Sequence, residues 1–247
     1  MDRLIHTSLS GLRGAMARQA TTANNLANAN TVGFRAELST ARALWVQGGG
    51  FGARAPSSQE VTAANMHGGT VTETGRDLDI ALRGEALLAV QAADGSEAYT
   101  RRGDLQVSPS GLLTTGDGRP VLGDGGPITL PPADSVRIAD DGAVWIVPSG
   151  GDPNVPQQVD RLKLANPTGS RVLKAVDGLF RVENGGILPS DPDGRLTPRS
   201  LEGSNVEVSQ ALIDMIDASR AWDTQLNLIT TARDLDTSAA DLMRLPS

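Results

Sequence analysis

The residue types that most often carry chemistry are scarce in this sequence. It holds two histidines, His6 and His67, and no cysteine, which removes a thiol nucleophile, a disulfide framework and a Cys-based zinc site. No HxH or HExxH spacing places either histidine beside a second metal ligand. A Ser-His-Asp triad would have to draw on one of these two, and neither a GxSxG elbow nor a GxxxxGK[ST] phosphate loop is present. Asp191-Pro192-Asp193-Gly194 opens like a calcium loop, with Glu202 at the twelfth position. Arg195 and Leu196 then stand at the fifth and sixth, where an oxygen ligand and a glycine are required, so the stretch reads as a turn. Carboxylates are plentiful, but no spacing marks a glycosidase-like pair, and at 3% aromatic residues the chain has few platforms on which a sugar could stack. No spacing among these residues marks a catalytic, cofactor or metal site, and the carboxylates alone leave a paired-acid site open.

Charge narrows the partners. Lys and Arg number 22 against 29 Asp and Glu, a formal net charge of −7, and there is no basic run. Phosphate backbones call for a basic surface, so nucleic acid is not expected as a partner. The 247 residues, 39% of them hydrophobic, suffice for one large domain or two small ones. No run reaches the roughly 18 apolar residues of a membrane span. The opening MDRLIHTSLSGLRGAM has no apolar h-region, so a cleavable secretory signal is not expected.

One stretch departs from the rest. From Gln19 to Phe34 there is no charged residue, in a chain that is 21% charged. Within it TTANNLANANTVGF reads as a helix ending near Asn30 with a turn at Gly33. On a helical wheel of about 100° per residue, Ile5, Leu9, Leu12, Met16, Ala23 and Leu26 cluster in one arc, and Thr21, Asn24, Asn25 and Asn28 fall opposite. The first set steps at the 4-3 spacing of a coiled-coil seam, skipping Gln19. The second is an uncharged amide face, suited to packing in which side chains donate and accept across a contact.

The other end mirrors the first. Val208, Leu212, Met215, Trp222, Leu226 and Ile229 follow the same 4-3 spacing with Ser219 skipped. Leu235, Ala239 and Leu242 continue it with a phase shift that predicts a stutter. Ser204 or Asn205 is the expected N-cap, with Glu207 in the first turn. Residues 1–38 carry four arginines against two acids, and residues 199–247 carry four arginines against eight acids, which favours pairing of the two helices. Trp145, in an alternating run, and Trp222, on the seam, read as packing residues.

Between the helices the pattern is β. LDIAL, ALLAV, VRIA, AVWIV, RLKL and LFRV are short apolar runs. Asp-Gly or Asn-Gly pairs beginning at Asp94, Asp117, Asp124, Asp141, Asp177, Asn184 and Asp193 supply the positive-φ residues that tight hairpins need. The fold expected is α+β: N- and C-terminal helices pairing as an antiparallel coiled coil, an extended arm, and a central antiparallel β domain. The boundaries are 1–36 for the N-terminal helix, 37–76 for the arm, which includes the Gly/Ala/Ser-rich QGGGFGARAPSSQ, 77–198 for the β domain, and 199–247 for the C-terminal helix.

Three motifs in order resemble the flagellar rod and hook family. ATTANNLANANTVGFRAE (20–37) is similar to its N-terminal signature, with Ala23, Asn24, Asn25, Leu26, Ala27 and Asn28 followed by Thr31, Gly33, Phe34 and Arg35. GRDLDIALRGEALLAV…AYTRRGDLQVSPSGLL (75–113) resembles its shared β segment, with Leu87 and Leu88 where an aromatic pair is frequent. LEGSNVEV (201–208) resembles the box before its last helix. MDRLIHTSLSG, GFRAEL and RLKLANP…DGLFRV look most like the proximal rod branch; the distal rod branch is the alternative, and an extracellular β-rich hydrolase or adhesin is a more distant one. The resemblance implies a structural subunit of the bacterial flagellar basal body that is not an enzyme, with no cofactor, no metal and no small-molecule substrate. Such a subunit crosses the periplasm in the rod, self-assembles through its terminal helices and transmits motor torque. Its partners are other flagellar rod subunits and the flagellar export apparatus, a type III system that needs no cleavable signal. The expected assembly interface is the two seams together with Asn24, Asn25, Asn28, Gly33 and Phe34.

Overall fold

The computed structural model of the chain describes residues 2–43, 57–183 and 185–243, with side chains described over 8–39, 63–183 and 185–240. Trp45 and most of the glycine-rich stretch after it lie outside the described residues, as does the side chain of Ile5. The chain divides into two compact units: residues 1–27, 37–62 and 207–247 form one, and residues 28–36 and 63–206 form the other.

The first unit contains helix α1, Asp2–Ala27, and helix α2, Val208–Met243. Strand Glu37–Ala43 pairs with strand Ser57–Ala64, so a two-stranded sheet stands at the start of the segment expected as an arm. α1 lies against α2 and touches strand Glu37–Ala43. Two glycines, each costing a helix about 1 kcal/mol, sit in α1 at 11 and 14. At Gly11 the reason is visible: a Cβ there would come within 3.0 Å of Gln225 Cδ on α2. α1 stops at Ala27, three residues before Asn30. Thr31 donates both its N–H, to Asn28 O, and its hydroxyl, to Asn28 Oδ1, and Gly33 follows at φ +67°.

The second unit is antiparallel β. A five-stranded sheet runs in the order Leu164–Ala165, Leu87–Gln91, Glu97–Thr100, Phe180–Val182, Val172–Lys174. A three-stranded sheet is formed by Ala133–Ile138, Ala143–Pro148 and Gln157–Arg161. Strand Ile80–Leu82 pairs with Leu196–Pro198, and Val71–Glu73 pairs with Ser200–Glu202. The core lies on both faces of strand Leu87–Gln91. Leu88 and Val90 join Ile80, Leu105, Leu113 and Ile128 on one side; Leu87 and Ala89 join Tyr99, Phe180 and Leu188 on the other. A strand covered on both faces needs an unbroken apolar run rather than alternation, which is how ALLAV reads and why Leu87 and Leu88 are both fully buried. The Asp-Gly turns behave as expected at Gly95, Gly118, Gly142 and Gly178, whose φ values are 82°, 82°, 84° and 79°. Trp145 stands opposite Arg137 in the three-stranded sheet and is half-buried, its ring centroid 6.0 Å from the guanidinium carbon.

Candidate functional site

Catalytic and metal-binding arrangements are tested first. Among the described residues no group of three or more His, Cys, Asp and Glu side chains comes together to hold a cation. Asp191, the first residue of the rejected calcium loop, accepts the N–H of Asp193 on Oδ1 and the amide of Asn166 on Oδ2. Its carboxylate therefore braces a turn. A cleft of roughly 650 Å³ in the β unit is lined by Asp77, Arg137, Trp145 and Arg199 among others. Arg199 and Asp77 pair there at 3.2 Å with both side chains more than half exposed, and no histidine lines it.

The helices carry most of the residues expected at an assembly interface. On α2 the sheltered positions among the described side chains are Ala211, Met215, Ala218, Ala221, Trp222, Gln225, Ile229, Ala232, Asp236 and Ala239. Apart from Ala221 they keep one 4-3 beat from Ala211 to Ala239, so the stutter expected at Leu235 does not occur over these residues; the side chain of Leu242 lies outside the described residues. Met215, Trp222 and Ile229 of the expected seam belong to it. Val208, Leu212 and Leu226 do not: they are exposed, beside Ile213, Ile216, Leu228 and Leu235. Small alanines take the alternate positions, and the bulky apolar residues flank them. On α1 the buried residues are Ser8, Gly14, Ala15 and Thr21, with Leu9, Leu12 and Leu26 half-buried; Met16 is 52% exposed and Ala23 exposed. The fully buried positions among the described side chains of α1 are thus all small residues, which suits a close helix approach.

The amide face separates into individual roles. Asn25 forms a reciprocal pair with Glu37, donating from Nδ2 to the carbonyl at 3.0 Å and accepting the backbone N–H on Oδ1 at 2.8 Å. It fastens the start of strand Glu37–Ala43 to α1. Asn28 Oδ1 serves the turn after α1, and Asn24 is exposed. Thr21 is buried and donates back to Ala17 O at 3.0 Å.

Gly33, Phe34 and Arg35 lie in the β unit, at a buried charged cluster. The Glu202 carboxylate accepts four hydrogen bonds. Arg35 Nη2 at 2.6 Å and Gly69 N–H at 2.9 Å reach Oε1; Arg101 Nε at 3.0 Å and Nη2 at 2.6 Å reach Oε2. Arg101 places its remaining donors on the carbonyls of Leu82, Gly84 and Ala86. Its guanidinium is thus fully bonded. Arg35 is not: its Nε and Nη1 are buried without a partner. Burial pulls the pKa of Arg101 below its ordinary value; the Glu202 carboxylate opposes this, and the positive charge of Arg35 adds to it. The backbone follows the same lines. Gly33 donates its N–H to Glu202 O at 2.8 Å, and a Cβ at Gly33 would stand 2.4 Å from Arg101 O. Lys174 lies over the Phe34 ring at 3.6 Å and donates to Arg35 O.

Asn205 completes this arrangement. It is one of the two expected N-caps of α2, with Ser204, but its side chain is used elsewhere. Oδ1 accepts the N–H of Ala36 at 2.7 Å, and Nδ2 donates to Asn65 O and His67 O, both at 2.8 Å. Ser204 Oγ accepts the N–H of Val206, two residues before α2 begins.

Comparison with known proteins follows the same three segments. Residues 5–35 match the family model described as flagella basal body rod protein. Residues 81–146 match the flagellar hook protein FlgE/F/G D1 domain, and residues 197–242 the flagellar basal body rod FlgEFG protein C-terminal. The flagellar basal-body rod protein FlgF of Salmonella typhimurium is 41% identical over 251 residues, covering 99% of this chain and all of that protein. The chain belongs to the flagellar basal-body rod protein family. FlgF of Escherichia coli is 41% identical over 95% of both chains, and FlgG of Bacillus subtilis 32% identical over 99% of this chain and all of that protein. In this rod-family chain the buried cluster joins the ends of two family segments: Arg35 closes the N-terminal one, and Glu202 stands near the start of the C-terminal one. The two residues stand in separate sequence motifs, and no spacing pairs them. A signal was present, since Arg35 is the first charge after a long uncharged stretch and Glu202 is an opposite charge in the other box. Arg101 gave none, standing beside a second arginine in an ordinary-looking RRGD.

Proposed function

We propose that this chain is a structural subunit of the flagellar basal-body rod, of the proximal-rod type. It self-assembles through its terminal helices with other rod subunits and passes motor torque along a rod that crosses the periplasm. The observation that carries this reading is full-length identity to FlgF proteins at 41%, joined to helices that leave Leu212, Ile213, Ile216, Leu226, Leu228 and Leu235 exposed. A monomer does not keep so much apolar surface on one helix without a use for it. The continuous 4-3 stripe on α2 supports an antiparallel coiled coil of α1 and α2, whose outer sides meet neighbouring subunits in open-ended, heterologous contacts. Export by the flagellar type III apparatus supplies the route, and the segment 37–76 serves as an arm. The distal-rod reading has its own support in FlgG relatives at 32% identity and below; the higher identity to the Salmonella and Escherichia FlgF proteins favours the proximal one.

The test is a truncation that stops at Ala27, because residues 28–36 belong to the β unit. Deleting residues 2–27 leaves the purified protein with a cooperatively folded β unit and removes it from isolated basal bodies, so the strain does not swim. Incorporation of the truncated chain into basal bodies at wild-type level would overturn the proposal.

A further inference from the structure

The chain passes between its two units four times, at 27/28, 36/37, 62/63 and 206/207. Each passage feeds into a segment of the β unit that Glu202 or Asn205 holds. Residues 28–36 carry the first two, and are held by Glu202 O on Gly33, by the Glu202 carboxylate on Arg35 and by Asn205 Oδ1 on Ala36. The third enters at residue 63 and is held within a few residues: Asn205 Nδ2 reaches the carbonyls of Asn65 and His67, and Glu202 Oε1 takes the N–H of Gly69. The fourth leaves from 200–206, the segment that contains both side chains. Backbone bonds cross-brace the same pieces, with Asn65 N–H on Ala36 O and Asn205 N–H on Phe34 O. Arg101, anchored on three backbone carbonyls of residues 82–86, fixes Glu202 to the core of the β unit.

We propose that Glu202 and Asn205 are positioning residues that fasten residues 28–36, 63–69 and 200–206 into one cooperative junction within the β unit, which orders and loosens as a unit. Two features make the junction cooperative. Every bonded partner of Asn205 shares a backbone segment with a partner of Glu202. Glu202 is itself buried, so loosening any one passage leaves polar groups without partners in a place that water does not reach.

Native-state amide exchange on the purified full-length chain tests the proposal, because it reads amides that a substituted side chain does not touch. Asn205→Ala removes direct bonds at Ala36, Asn65 and His67. The junction requires that exchange also quicken, by about tenfold or more, at Gly33 and Gly69, which bond only to Glu202. Glu202→Gln is the reciprocal variant and should quicken Ala36. The core strand Leu87–Gln91 stays protected in the Asn205 variant, which keeps that arm informative if the Glu202 variant fails to fold. Quickening of Ala36 alone in Asn205→Ala, with Gly33 and Gly69 within about twofold of wild type, would overturn the junction. The measurement uses isolated protein, so its outcome is separate from that of the rod reading, which incorporation into basal bodies decides.

Discussion

Arg101 and Arg35 face the same carboxylate with unequal completeness. Arg101 spends every guanidinium donor on Glu202 or a backbone carbonyl, whereas Arg35 leaves two nitrogens buried and unbonded. Removing one partner of a buried ion pair costs about 3–5 kcal/mol when a charge and several acceptors are left unmatched. Arg101→Met therefore destabilises by about that amount. Arg35→Met leaves a balanced Glu202–Arg101 pair, removes a cation whose burial was only partly compensated, and costs less than about 1.5 kcal/mol. Urea denaturation of the two variants gives the ranking directly, and an equal loss in both would contradict it. A second residue-scale prediction concerns Asp177. The side chain of Arg181, donating through both terminal nitrogens at 2.9 and 2.8 Å, is the first cause that lowers its pKa. A carboxylate held lower in the folded state contributes stability above its unfolded pKa of about 3.9 and loses it as pH falls through the lower folded value. Asp177→Asn should therefore be less stable than wild type by up to about 1 kcal/mol near neutral pH, the range for partly exposed pairs. The difference should vanish in melts taken in strong acid.

At the scale of elements, the helices and the β hairpins were legible because their signals are local. Periodicity gave both helices, and Asp-Gly pairs gave the turns at Gly95, Gly118, Gly142 and Gly178. The side on which the helices meet was only half legible. Bulky residues dominate a hydrophobic wheel, so Leu212 and Leu226 were read onto the seam. The chain instead shelters Ala211, Ala218 and Gln225 there, beside Met215, Trp222 and Ile229, with the alanines letting the backbones approach. On the amide face, Asn25 has a use inside the chain that the wheel does not show: its amide matches a strand backbone that follows twelve residues later. The cluster around Glu202 was legible only as two opposite charges, Arg35 and Glu202, in separate motifs. Its members stand at positions 33–36, 65–69, 101 and 202–205, and only the closed fold brings them together. Spacing along a chain carries no information about a meeting of that kind.

For the whole molecule, the exposed apolar residues of α2 set a requirement that the monomer does not meet. Leu212 and Leu226 are 47% and 39% exposed, and their neighbours on the sheltered stripe hold the helix in place without them. Full burial of a leucine contributes about 1.5–3 kcal/mol; completing burial that has already begun contributes part of that at each repeated contact. In an open-ended assembly every subunit makes the same contact, so a loss of about 1–2 kcal/mol per side chain is felt at every addition. The double variant Leu212→Ser, Leu226→Ser should therefore melt within about 2 °C of wild type, as surface substitutions usually do. It should nonetheless be missing from isolated basal bodies and fail to restore swimming to a deletion strain. The contrasting pair Met215→Ser, Trp222→Ser strikes the sheltered stripe and should lower the helical signal of the purified monomer itself. If both pairs melt early, the exposed leucines belong to the monomer's own packing. If the first pair assembles normally, the outer side of α2 is not an assembly surface.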